Sequence, residues 1–202
     1  MTNNILDLIQ SNLTSSVIET MAGRIGGDNQ ATSQATSSAV AILLSALNKN
    51  AQNPERNSGL LGAIENDHDG SILDNLMDFA KGSNDLNPRM TNGAGILKHL
   101  LGDNLGSAAE ILTKSSGLTK DKSASLLSML APIVMGAVGK NLRQAPKADT
   151  NILSDILSSA VKSNTQGQQE MSIFEKLLDQ DGDGSILDDV LSMGLKFFSR
   201  KK

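Results

Sequence analysis

Apolar residues recur at helical spacing along nearly the whole chain and nowhere alternate with a period of two. Ile5, Leu6 and Ile9 mark a short first helix. Val17, Ile18, Met21 and Ile25 form a second stripe, opened by a capping box at Ser16-Val17-Ile18-Glu19 and closed by Gly26-Gly27. Residues 28–38 are polar and small, with Asp28 as a candidate cap. They lead into Ala39–Leu47, apolar almost all round, as in a helix buried on several sides. Asn50–Asn57, with Pro54, reads as a break. Ser58–Ile64 and Ser71–Ala80 read as helices on either side of an acidic loop.

After a linker at 82–93 the pattern restarts. Sliding Ile5–Asn50 onto Ile96–Asn141 without gaps pairs Ile5 with Ile96, Leu6 with Leu97, Glu19 with Glu110, Gly26 with Gly117, Lys49 with Lys140 and Asn50 with Asn141. The capping box returns as Ser107–Glu110, and the central helix returns as Leu126–Val138. Pro132 lies inside that helix and is expected to kink or divide it. A further amphipathic helix is predicted over 151–164, and Ser172–Leu178 leads into a second acidic loop. The predicted fold is all-α, an internally duplicated helical bundle in which each half ends in a helix–acidic loop–helix unit. The halves are residues 1–81 and 94–202.

The two acidic loops carry the only candidate chemistry. The downstream one, Asp179-Gln180-Asp181-Gly182-Asp183-Gly184-Ser185-Ile186-Leu187-Asp188, places acids at positions one, three and five and Gly at six, like the front of an EF-hand loop. Carboxylates on alternate residues of a tight turn can converge on a hard cation, and the glycine permits the bend. The Ser185 carbonyl then faces inward. Position twelve is Val190 rather than Glu, so the loop must close earlier. Asp188 is preferred over Asp189, because the upstream copy also has Asp at position ten. In that copy Glu65, Asp67 and Asp69 are followed by Ser71, which offers its carbonyl, and Asp74 closes. The predicted ligand is Ca²⁺ at one or two sites, with Mg²⁺ a second candidate. The competing reading is a pair of capped helix starts, Ser71-Ile72-Leu73-Asp74 and Ser185–Asp188. It leaves the clustered Asp179, Asp181 and Asp183 unexplained.

Composition narrows the function. Net charge is −4 and aromatics are 2%, with no Trp or Tyr, which excludes a general nucleic-acid binder built on basic patches and stacking platforms. There is no Cys, hence no disulfide, thiol nucleophile or thiolate zinc site. The N-terminus lacks a basic and apolar leader pattern, so a cytoplasmic location is expected. The apolar run Leu126–Val138 is shorter than a membrane span. The last predicted helix carries Phe197 and Phe198 beside a basic end. Core packing with a solvated tail is expected there, rather than membrane contact.

The segment Gly93-Ala94-Gly95-Ile96-Leu97-Lys98-His99-Leu100-Leu101-Gly102, the long Ala/Leu/Met helix after it and the Ser-Ile-Leu-Asp loops resemble a YidB-like bacterial family of uncharacterised function (domain of unknown function 937). That resemblance implies a helical domain and no assigned reaction. Only two histidines are present. His68 sits at loop position four, where side chains point to solvent, and His99 lies beside Leu100, so no acid–base constellation is expected. The expected function is a non-catalytic calcium-binding helical protein. The alternative is a metal-independent interaction or self-assembly scaffold, either a homo-oligomer or a protein-partner bundle.

Overall fold

The computed structural model describes residues 5–83, 85–145 and 149–163. Every regular element among them is helical: α1 (Ile5–Asn12), α2 (Ser15–Ile25), α3 (Asn29–Gln52), α4 (Pro54–Asp67), α5 (Ser71–Asp74), α6 (Leu76–Lys81), α7 (Pro88–Thr91), α8 (Gly93–Leu101), α9 (Leu105–Ser116), α10 (Lys120–Arg143) and α11 (Thr150–Ser163).

Two long helices form the centre. α3 and α10 pack on each other, and the shorter helices wrap them. Both are buried nearly all round through their middles: Ala39 to Leu47 in α3, and Met129 to Gly139 in α10. α10 is long and apolar enough to cross a membrane by length and composition, but 78% of its most apolar stretch is buried inside the bundle. It is therefore read as a core helix. One continuous apolar cluster runs from Ile5 to Ala160 and draws on both halves of the chain.

Three helix boundaries recur at one offset. α3 begins at Asn29 and α10 at Lys120, 91 residues apart; α3 ends at Gln52 and α10 at Arg143, again 91 apart. α2 and α9 end at Ile25 and Ser116 with the same offset. Local chemistry explains the shared ends. Asp28 accepts the Ala31 amide and Thr119 the Lys122 amide, capping α3 and α10. Gly26 and Gly117 follow α2 and α9 with φ of 65° and 79°.

Several local expectations change. The proposed capping boxes do not cap. α2 starts at Ser15 behind Thr14 and α9 at Leu105 behind Asn104, with no side-chain cap hydrogen bond at either. Ser16 and Ser107 fall inside their helices, and Glu110 instead pairs with Lys114 one turn on, at 3.1 Å. The break at 50–57 narrows to Asn53, because Pro54 is tolerated in the first turn of α4, where its missing N–H has no partner to lose. The helix expected at Ser71–Ala80 is two short helices meeting at Asn75. Residues 82–93 contain the turn α7, with Met90 buried.

Pro132 does not divide α10, which runs unbroken from Lys120 to Arg143. A proline cannot donate to the carbonyl four residues back, here that of Ser128. Gly93, the first residue of α8, lies against that oxygen: a Cβ on Gly93 would sit 1.7 Å from it. The missing side chain lets the backbone approach the carbonyl left free by Pro132.

Candidate functional site

The upstream acidic loop is built where α4 ends. His68 closes α4, its N–H bonding to the Ile64 carbonyl at 3.1 Å. Gly70 follows at φ 96°, the sharp bend anticipated at loop position six. α5 then begins at Ser71. The loop lies against the C-terminal half of α10, where two glycines admit it. A Cβ on Gly139 would fall 1.8 Å from the His68 carbonyl oxygen, and one on Gly136 would fall 2.5 Å from Ile72 Cγ2. Gly70 itself faces the Lys140 side chain. Ile72 is fully buried at this junction.

The carboxylates do not converge. Glu65 is exposed on the last turns of α4. Asp67 faces the Arg89 guanidinium of α7 at 4.0 Å. Asp69 accepts the Ser71 amide at 2.9 Å and the Ser71 hydroxyl at 2.5 Å, and its other oxygen lies 3.4 Å from Arg143. Asp74 accepts from Lys140 Nζ at 3.1 Å. The Ser71 carbonyl accepts from the side-chain Nδ2 of Asn75 at 3.1 Å. Among the described residues, no three His, Asp or Glu side chains are grouped as a metal site. The hydrogen bonds from Ser71, side chain first and then backbone, hold the Asp69 carboxyl below its ordinary range, with a smaller contribution from Arg143.

His68 departs from expectation. It is 3% exposed rather than directed at solvent. At the end of α4 the chain turns onto α10 and carries the ring inside. Its Nδ1 has no hydrogen-bond partner among the described residues. Burial pushes its pKa below the usual imidazole range, against an opposing pull from Asp67 and Asp69. His99 is exposed on α8, its Nδ1 2.8 Å from the Gly95 carbonyl.

The downstream loop, with Asp179, Asp181, Asp183, Ser185 and Asp188, lies outside the described residues. So does the basic segment with Phe197 and Phe198.

The basic partners of the upstream loop were not anticipated from sequence. Lys140 falls opposite Lys49 at the 91-residue offset, but nothing in the local pattern of α10 announces that its Gly136-Ala137-Val138-Gly139-Lys140 stretch receives a loop. The signal was the pair of glycines three apart in an otherwise bulky helix, each costing helix stability unless something packs closely there.

Comparison with curated proteins and with solved structures returns no match. A family model described as "Bacterial protein of unknown function (DUF937)" matches residues 7–141, from α1 to the last turn of α10. With two thirds of its length matched, the chain belongs to this bacterial family.

Proposed function

We propose that the chain is a non-catalytic, calcium-binding helical protein in which the downstream loop Asp179–Asp188 takes the ion and the upstream loop serves as a metal-independent joint. The observation that carries the division of labour is the upstream charge balance. Asp67, Asp69 and Asp74 each face a separate basic side chain. The arginines and lysine of α7 and α10 supply there the positive charge that a bound cation would otherwise bring. The downstream loop opens on Asp179 where the upstream copy has Glu65, and it adds Asp189 beside the closing Asp188. Its acids follow the calcium spacing more closely, and an uncompensated cluster of this kind repels itself. A purely structural role for the protein is consistent with a buried His68 and with a surface His99 bonded to its own helix.

Thermal unfolding in excess chelator and in millimolar Ca²⁺ tests this reading. At 100 times the dissociation constant, a bound ion adds about 2.7 kcal/mol. A rise in midpoint is expected for the native chain and for Asp67→Asn/Asp69→Asn, and its loss is expected in Asp181→Asn/Asp183→Asn. Equal midpoints in chelator and Ca²⁺ for the native chain would overturn it.

The neutralised upstream loop also favours a second reading, a metal-independent interaction or assembly scaffold in which neither loop binds an ion. Under it, calcium is without effect on all three chains, and light scattering shows a mass that grows with concentration.

A further inference from the structure

A groove of about 210 Å³ lies between α1, α2 and the first half of α3, floored by Leu6, Ile9, Leu13, Ile18 and Val40 and edged by Ser33 and Ser37. Among the described residues, no charged side chain lines it. We propose that this groove is the seat of the chain's own continuation beyond α11, the segment Met171–Leu178, with Phe174 as the anchor.

The argument starts from one stripe of α3. Ser33, Ser37, Val40, Leu44, Asn48 and Ala51 recur every three or four residues and share a face. α11 covers the far end of that face and runs antiparallel to it. Ser154 Oγ donates to the Ala51 carbonyl at 2.9 Å, and one turn later Ser158 Oγ donates to Asn48 Oδ1 at 3.0 Å. Each turn along α11 therefore moves one turn back along α3, toward its N-terminus. The last residue of α11, Ser163, is five residues past Ser158, roughly 7.5 Å of helix. That brings the chain to the edge of the groove. Burial follows the same boundary: Leu44 is fully buried and Val40 is 5% exposed, while Ser37 and Ser33 are open.

Length and composition fit the occupant. Thirty-nine residues, 164–202, follow Ser163. The first seven, Asn164 to Glu170, are polar and without apolar side chains. Extended, they span roughly 23 Å, enough to reach any part of the groove. Met171, Phe174, Leu177 and Leu178 come next at helical spacing, the first apolar group after α11 and one that an uncharged groove can bury. The seat would set the downstream acidic loop immediately beyond, but it does not depend on metal occupancy.

The chain has no cysteine, so an introduced pair reports on its own. In the full-length protein, Ser37→Cys/Ser172→Cys is compared with Ser115→Cys/Ser172→Cys, in which Ser115 is an exposed position on α9. Intramolecular disulfide formation is followed by mass, in chelator and again in Ca²⁺, so that a failed metal reading and a failed docking are told apart. The Ser37 pair should close about tenfold faster than the Ser115 pair, because docking raises the effective concentration of the two thiols. Phe174→Ser should abolish that preference. Equal rates for the two pairs would overturn the proposal. Disulfides formed only between chains would overturn it as well, and would assign the groove to a second copy.

Discussion

At the residue scale, the junction between the upstream loop and α10 depends on atoms that are missing. Gly139 and Gly136 both stand where a methyl group would meet the loop, but their neighbours differ. The Gly139 methyl would meet the His68 backbone carbonyl, which cannot move without displacing the end of α4; the Gly136 methyl would meet a side-chain atom, the γ2 methyl of Ile72. Gly139→Ala should therefore cost more than Gly136→Ala, about 1–3 kcal/mol by the usual penalty of overpacking, even though alanine is the better helix former. Urea unfolding of the two variants checks the order. His68 gives a second prediction. Its folded pKa is depressed by burial, so the folded protein holds the ring neutral while the unfolded chain protonates near 6.5. The unfolded state then binds the extra proton, and stability is lost as pH falls from 6.5 toward the depressed value. His68→Phe should flatten this slope in a series of unfolding curves between pH 7 and 5. Asp69 acts in a lower window. Its depressed carboxyl supports the fold above 3.8 and loses that contribution as pH falls further.

At the element scale, the long helices were legible because their own residues specify them. The all-round apolar middles of α3 and α10, the Asp28 cap and the Gly26 stop are local signals, and each reappears in the structure. Asp28→Ala should lower stability by about 1 kcal/mol through loss of the Ala31 amide bond, measured as a shift in urea midpoint at unchanged slope. The acidic loop was legible only as a backbone. Its Gly70 turn follows from the residue type, but the fate of its carboxylates depends on α7 and α10, whose basic residues lie 22 to 74 positions away from the acids they meet. No local pattern carries that information. The same holds for Pro132, whose effect on α10 is accommodated by Gly93 of α8. The exposed ion pairs at the loop should be minor contributors, since such pairs give about 0.2–1 kcal/mol each. The seat is made mainly by Ile72 and the two glycines.

At the scale of the whole molecule, three helix boundaries recur 91 residues apart, but the core does not divide between the first and second halves of the chain. α3 packs on α9 and α10, and α10 packs on α1, α2, α4 and α5, so each central helix is covered largely by elements from the other half. Polar contacts cross in the same way: buried Asn50 of α3 donates to the Leu100 carbonyl at the end of α8, and Lys122 of α10 donates to the Gly26 carbonyl that follows α2. Neither half could withdraw without exposing both long helices, whose middles are buried on every side. Unfolding should therefore be a single transition, with the calorimetric enthalpy close to the van't Hoff value. Leu47→Ala in the first half and Leu130→Ala in the second remove side chains that are fully buried, and each should cost about 2–5 kcal/mol. Both substitutions should shift that one transition by calorimetry. If Leu47→Ala instead moved an early step and left a later one in place, the halves would be independent domains in contact, and the shared core would be only an interface between them.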